Sequence, residues 1–187
     1  MIFIVIKLKM QAEKANTTQD KEKVADDKIM FRNFEGEEDL QTIISMIEKE
    51  LSEPYPIYTY RYFVQKWPHL TELAYFKDDP EKKCIGCIVS KLEDQYKRND
   101  DTTRYRGYIA MLAVDPTIRR LGLGRKLVHR NIEAMRELGA DEVILETEIT
   151  NLAALKLYDS FGFLRDKHLK SYYLNGNDAY KLKLFLK

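Results

Sequence analysis

Val114-Asp115-Pro116-Thr117-Ile118-Arg119-Arg120-Leu121-Gly122-Leu123-Gly124-Arg125-Lys126 is the stretch from which the fold is read. It follows the apolar run Tyr108-Ile109-Ala110-Met111-Leu112-Ala113-Val114, which has the character of a buried strand. It leads into Leu127-Val128-His129-Arg130-Asn131-Ile132-Glu133-Ala134-Met135, which has helical spacing. A glycine-bearing turn with four cations (Arg119, Arg120, Arg125 and Lys126) therefore sits at a helix N-terminus. Amides without helical acceptors and the positive end of the helix dipole converge there, a geometry that binds phosphate. Gly122 and Gly124 let the backbone approach a ligand with no Cβ in the way. No Gly-Lys-Ser/Thr follows and the full G-x-G-x-x-G pattern is missing, so neither standard nucleotide fingerprint is met. A basic connecting loop without a ligand is the alternative this run alone leaves open.

A second segment, Asn151-Leu152-Ala153-Ala154-Leu155-Lys156-Leu157-Tyr158-Asp159-Ser160-Phe161-Gly162-Phe163, reads as a short helix. Asn151 is a good N-cap, Ala154, Leu155, Tyr158 and Phe161 share a face, and Gly162 is a natural stop. By periodicity alone Tyr158 is a core aromatic. The two segments together, with a strand between them, resemble the R-x-x-G-x-G pyrophosphate loop and the N-x-x-A-x-x-L-Y-x-x-x-G-F motif of the GNAT acetyltransferase superfamily, whose members bind acetyl-CoA.

The remaining chain is consistent with one such domain. Strands are expected near 29–32, 73–77, 84–92, 105–114, 142–147, 163–173 and 179–185, and helices over 38–51, 58–67, from Gly122 to about Gly139, and after Asn151. Leu40, Ile43, Ile44, Ile47 and Leu51 form an apolar face on the first helix. Asn175-Gly176 between the last two strands is a hairpin signal. The order is α+β, and the resemblance implies a mixed central sheet flanked by helices, with two splayed strands holding acetyl-CoA, over residues 28–187. Residues 1–27 combine a short apolar start with a polar, Lys- and Asp-rich stretch and are expected to be a disordered appendage. Met10 or Met30 could serve as alternative starts. The apolar start is too short for a signal-peptide core or a membrane span.

In 187 residues the net charge is +1, with 33% charged residues of both signs and 44% hydrophobic ones. That supports a sizeable core and argues against a broad nucleic-acid or membrane surface. Cys84-Ile85-Gly86-Cys87 lies in an expected strand, where positions i and i+3 point to opposite faces. With no second ligand pair and only His69, His129 and His168 to assist, two buried structural thiols are expected rather than a zinc or redox site. No metal is expected, and a reducing, cytoplasmic location fits.

Further segments sharpen the resemblance: Leu51-Ser52-Glu53-Pro54-Tyr55-Pro56-Ile57-Tyr58-Thr59-Tyr60-Arg61-Tyr62-Phe63, Arg106 to Val114, Leu145-Glu146-Thr147-Glu148 and Tyr172-Tyr173-Leu174-Asn175. They are similar to catalytic subunits of NatC-type N-terminal acetyltransferases. A core aromatic helix accounts for Tyr60 and Phe63 but poorly for the polar Glu53-Pro54-Tyr55. The resemblance implies acetyl transfer from acetyl-CoA to the α-amine of Met-hydrophobic N-termini. Glu146 is then the candidate base and Tyr158 the candidate acid. Backbone near Leu112 and Val114, with Arg119, Arg120, Gly122, Leu123, Gly124, Arg125 and Asn151, would hold acetyl-CoA. Leu51, Glu53, Tyr55, Tyr108, Tyr172 and Tyr173 would line the peptide pocket. Strand alternation would let only one of Tyr172 and Tyr173 touch the peptide. Large and small auxiliary subunits, and the ribosome through them, are the implied partners. An α-amine ordinarily titrates near 7.7–8.0, so a modest base suffices, and Glu146 could act as an ammonium anchor with water as relay. A lysine or small-amine acetyltransferase, a non-catalytic acyl-CoA-binding module and a nucleotide-phosphate protein remain the rival readings.

Overall fold

The computed structural model describes residues 28–50, 55–97, 100–118 and 121–187. The expectations for residues 1–27, Leu51, Glu53, Arg119 and Arg120 lie outside the described residues. Seven strands form one mixed sheet in the order β1-β2-β3-β4-β5-β7-β6. They are β1 (Ile29–Asn33), β2 (Thr71–Phe76), β3 (Cys84–Lys97), β4 (Asp100–Val114), β5 (Glu142–Glu148), β6 (Leu164–Leu169) and β7 (Ala179–Phe185). All neighbours are antiparallel except β4 and β5. Helices α1 (Glu37–Glu50) and α2 (Ile57–Lys66) follow β1, α3 (Leu123–Glu137) joins β4 to β5, and α4 (Leu152–Asp159) follows β5.

The apolar stripes of the helices sort onto the two faces of the sheet. Leu40, Ile43 and Ile47 of α1 and Tyr60, Phe63 and Val64 of α2 pack with Leu73, Val89, Met111 and Ala113. Leu127, Ile132 and Met135 of α3 and Ala154, Leu155 and Tyr158 of α4 pack with Ile88, Ile109, Leu112, Val143 and Leu145 on the other face. A bidentate pair ties α1 to β1: the Arg32 guanidinium donates to both Asp39 carboxylate oxygens at 2.6 Å. That pairing holds the Asp39 carboxyl below its usual range against the opposing effect of burial.

Two register breaks interrupt simple alternation. On β3, Gly86 pairs with Ala74 and Cys84 with Tyr75, so Ile85 is an extra residue. Cys84 and Cys87 consequently lie in the same core cluster, against α1 and α2, and not on opposite faces as alternation predicts. Both are buried free thiols, and burial is the largest influence on each, pushing Cys84 up to about 11 and Cys87 up as well. On β4, Met111 pairs with Val89 and Ile109 with Ser90, which leaves Ala110 as a bulge. The expected strand over 163–173 is also shorter: β6 stops at Leu169, and Tyr172 and Tyr173 fall in the connection to β7.

Gly86 lets α3 close onto β3. A Cβ there would stand 2.9 Å from Leu123 Cδ2 and 3.3 Å from the Ala113 carbonyl oxygen. Gly86→Ala is therefore expected to lower folding stability by about 1–3 kcal/mol, because the buried Leu123 and Leu127 side chains and the Ala113 carbonyl must give way to admit the methyl group. Denaturant unfolding would show this as a reduced midpoint with an unchanged slope.

Candidate active site

The parallel pairing of β4 with β5 is short. It comprises Arg106 with Glu142, Gly107 with Val143 and Tyr108 with Ile144, and then the strands part. The closed end is stapled. Asp141 N donates to Tyr105 O and Tyr105 N to Asp141 Oδ2, both at 2.8 Å. Glu142 is paired with Arg106 and with Lys183, the latter at 3.3 Å. Beyond Tyr108, β4 runs on to Val114 along β3 while β5 runs on to Glu148 along β7. The Ala110 bulge sits two residues past the last β4–β5 pair, where added twist turns β4 away. The result is a V-shaped seam with strand edges for walls, in which backbone of 109–114 faces no neighbouring strand on the β5 side.

At the far end of β4 the chain turns through the 3-10 segment Pro116–Ile118 into α3. Gly122, with φ of 70°, caps the helix in the left-handed region. The first intrahelical bond there runs from Lys126 N to Gly122 O at 3.0 Å, so the amides of Leu123, Gly124 and Arg125 have no helical acceptor. Around Gly124 a Cβ would find only ordinary contacts, 3.7 Å to Val114 and 3.9 Å to Leu157. Leu123 is buried and seats the turn against the core. The Arg125 side chain is engaged with the end of α4. It donates to Ser160 Oγ at 2.5 Å and lies 4.8 Å from the Phe161 ring centroid. Asn151 caps α4 as expected, its Oδ1 accepting from Ala154 N at 3.1 Å.

Alternation along β5 divides the site between the two faces of the sheet. Leu145 belongs to the core cluster that contains Leu112, Val114 and Tyr158. Glu146 faces the other way, where its Oε2 accepts from the Tyr108 hydroxyl at 2.8 Å. Tyr158 is fully buried, with no hydrogen-bond partner for its hydroxyl among the described residues. Burial keeps that hydroxyl protonated far above its ordinary range. Glu146 titrates above the usual carboxylate range, chiefly because burial disfavours its charge. The Tyr108 hydroxyl and the cations of Lys181 and Lys91 oppose the shift.

The Glu146 face also gathers Tyr55, Tyr172 and Tyr173. Tyr55 stands edge-on to Tyr60 at 6.1 Å and packs beside Tyr108 on the α1–α2 cluster. Tyr172 and Tyr173 meet edge-on at 5.1 Å. Tyr173 is 3% exposed and its hydroxyl has no hydrogen-bond partner among the described residues. Tyr55, Glu146 and Glu148 all lie close enough to Tyr173 to add to the effect of burial in raising it. Tyr55, Tyr108, Glu146, Tyr172 and Tyr173 are thus brought together. Tyr158 and the Gly122–Arg125 turn approach the seam from the opposite side.

Some participants escaped the sequence reading. Lys91, opposite Tyr108 on β3, places its ammonium 5.4 Å from the Tyr108 ring, 5.9 Å from Tyr62 and 5.8 Å from Phe63. Lys181 is the cross-strand partner of Glu146. Once strands are assigned, pairing register alone would have located both. A separate groove of about 920 Å³ between α1 and the β2–β3 turn shares no residue with the seam, and two ion pairs, Arg32–Asp39 and Lys83–Asp115, satisfy charges on its wall. Among the described residues no group of three or more His, Cys, Asp or Glu is placed to hold a metal ion, and no helix is long and apolar enough to cross a membrane.

The raised Glu146 predicts a stability effect of definite sign. The folded state holds that proton to higher pH than the unfolded chain. Stability therefore falls as pH rises from the ordinary carboxylate range through the folded value, and the loss persists at neutrality. Glu146→Gln is expected to raise the unfolding midpoint at pH 7 and to gain progressively less below the ordinary carboxylate range. Unfolding curves across pH for both forms would check this.

Residues 40–163 match the family model described as acetyltransferase (GNAT) family. Proteins named N-alpha-acetyltransferase 30 are similar to this chain. The one from Xenopus laevis is 52% identical over 162 residues, 87% of this chain and 56% of that protein. The one from Saccharomyces cerevisiae is 46% identical over 153 residues, 81% of this chain and 84% of that protein. The chain spans about half the length of the vertebrate relatives it matches. N-alpha-acetyltransferase MAK3 of Arabidopsis thaliana is 47% identical over 166 residues, 89% of this chain and 82% of that protein. Among solved structures, a chain from the crystal structure of the NatC complex bound to Gag peptide and CoA superimposes with a TM-score of 0.79. It is 44% identical and the match covers 86% of this chain and 99% of that one.

Proposed function

Because the chain belongs to the acetyltransferase (GNAT) family, we propose that it is a NatC-type N-terminal acetyltransferase, acting on the α-amines of proteins that begin with Met and a large hydrophobic residue. The observation that carries this reading is the seam, with an elevated carboxylate on one face, a buried tyrosine hydroxyl on the other and a glycine turn of open amides at its end. The similarity to N-alpha-acetyltransferase 30 proteins and to the NatC chain supports the choice of substrate.

The open amides of Leu123, Gly124 and Arg125 fit a pyrophosphate, and the unpaired strand edge near Leu112 and Val114 fits an amide-bearing arm laid along the seam. Acetyl-CoA, bound there, supplies an acyl group activated as a thioester. Arg119 and Arg120, close before Gly122 in sequence, are assigned the role of adding positive charge for the pyrophosphate, and Asn151, which caps α4, is assigned to the same ligand. The peptide enters from the Glu146 face, walled by Tyr55, Tyr108, Tyr172 and Tyr173, and the NatC relationship assigns Leu51 and Glu53 to the same peptide pocket. Glu146 accepts the proton of the α-ammonium, directly or through water. Its elevated affinity for protons suits it to a donor that titrates near 7.7–8.0. The Tyr108 hydroxyl holds that carboxylate in place. Tyr158 donates a proton to the departing thiolate. Because a thiolate of pKa about 8.5 leaves tolerably unaided, this assistance accelerates the reaction without being indispensable.

The chain is proposed to work in the cytoplasm with a large and a small auxiliary subunit that carry it to the ribosome, as the NatC relationship suggests.

The test is acetyl transfer to peptides beginning Met-Leu, Met-Ile, Met-Phe, Ser-Glu and Met-Glu, and to an N-terminally blocked lysine peptide, with auxiliary subunits added if the chain alone is silent. Turnover confined to the Met-hydrophobic peptides is expected. Transfer to the lysine peptide instead would overturn the substrate assignment, and tight CoA binding without turnover in the assembled complex would favour a binding module. Glu146→Gln is expected to lower kcat by about 10²-fold or more. Tyr158→Phe is expected to lower kcat less, while leaving stability unchanged or higher, because it removes a buried hydroxyl that makes no hydrogen bond.

A further inference from the structure

Residues 170–178 link β6 to β7 and carry Tyr172 and Tyr173 to the Glu146 face. They contribute no strand, so local bonds must give them shape. Tyr172 N and Tyr173 N both donate to Asn177 O, at 3.0 and 3.1 Å, and Gly176 N donates to Tyr173 O at 2.8 Å. Asn177 N donates to Asn175 Oδ1 at 2.9 Å. Gly176, at φ of 80°, completes the turn. These bonds curl the loop upon itself but do not determine where the curl sits on the sheet.

One backbone bond ties the end of the loop to the end of β5, Ile149 N donating to Asp178 O at 3.1 Å, and two side-chain bonds tie down the curl that bears the tyrosines. The Asn175 and Asn177 amide groups both donate to Glu148 Oε1, that from Asn175 at 3.0 Å. Glu148 is 2% exposed, whereas both asparagines are exposed. It lies two positions beyond Glu146 on β5 and on the same face. Its cross-strand partner is Ala179, and Tyr173 packs with Ala179 in a small apolar cluster. A buried carboxylate requires donors, and this one takes its donors from the loop that bears the tyrosines. The dependence is mutual: removing either side leaves a buried polar group short of partners or the loop short of an anchor.

We propose that Glu148, Asn175 and Asn177 form a positioning clamp that sets Tyr172 and Tyr173 over the peptide side of the seam and so fixes how the substrate N-terminus is held against Glu146. The clamp deepens the peptide reading above and rests on it. Glu148 is assigned a positioning role: its Oε1 accepts from both amides, and Glu146 alone of the pair bonds Tyr108.

The experiment is steady-state kinetics on the full chain, with auxiliary subunits where activity requires them, using a Met-Leu peptide. Asn175→Ala/Asn177→Ala, Glu148→Ala and Glu148→Gln are compared, with amide exchange at Tyr172 and Tyr173 followed in each. The double asparagine variant and Glu148→Ala are expected to raise the peptide KM by about tenfold, leave the acetyl-CoA KM unchanged and speed exchange at both tyrosines. Glu148→Gln, which keeps an acceptor oxygen, is expected to restore most of the loss. Unchanged peptide KM in the folded double variant overturns the clamp, as does an equal rise in KM for both substrates. If the chain acetylates only the lysine peptide, the α-amine reading fails and the clamp is judged by the same criterion on that peptide's KM. If the assembled enzyme shows no turnover, the functional reading fails, and unchanged tyrosine exchange overturns the clamp as well.

Discussion

The parting of β5 from β4 after the Tyr108–Ile144 pair is the constraint on which the rest of the structure depends. A parallel sheet ordinarily satisfies its backbone through continuous pairing, and an interior strand edge left open is costly. Here the opening is held from both ends. Arg106, Glu142, Lys183 and Asp141 staple the closed end, and the Ala110 bulge bends β4 just past the junction. β3 and β7 keep the outer edges of β4 and β5 paired, so the seam costs pairing on its inner walls alone. A ligand with amides along its length can complete those walls, which links the local unsatisfied backbone to the choice of an extended acyl carrier.

The split of chemistry between the two faces follows from the same event. With side chains alternating along β5, Leu145 and Glu146 necessarily look to opposite sides. The α3–α4 side supplies the turn at Gly122 and the dry Tyr158 hydroxyl. The α1–α2 side supplies a carboxylate that burial raises and four tyrosines gathered with it, Tyr55, Tyr108, Tyr172 and Tyr173. On the proposed function, the acyl carrier and amine substrate approach from different sides and meet only at the seam. Among the buried hydroxyls that lack a partner within the described residues, those of Tyr158 and Tyr173 lie one on each side. Their burial without partners lowers folding stability, as expected where a site is shaped for a ligand rather than for the fold.

Much of this was legible in the chain. The Gly122–Gly124 turn after an apolar strand, and the Asn151-capped helix with Tyr158 on its inner face, gave both the superfamily and the seam's α3–α4 side. Both are contiguous segments whose local chemistry is self-contained. What eluded the sequence depends on register. Alternation placed Cys84 and Cys87 on opposite faces, but the extra residue Ile85 brings them into one cluster. The bulge at Ala110 carries no compositional mark, since Ala110 and Met111 are both apolar. Strand propensity carried β6 through Tyr173, whereas the loop from 170 is held by Asn177 and by Glu148, a residue distant in sequence. Lys91 and Lys181 carry no local mark in the sequence, and only strand pairing sets them beside Tyr108 and Glu146.

The most direct test of the seam is residue-resolved amide exchange with and without CoA. The account predicts slowed exchange at the seam-facing amides of 109–114 and at Leu123, Gly124 and Arg125, with little change along β6 or in the groove beside α1. Protection centred on that groove, or none along β4, would contradict the assignment of the open seam as the acyl-carrier site.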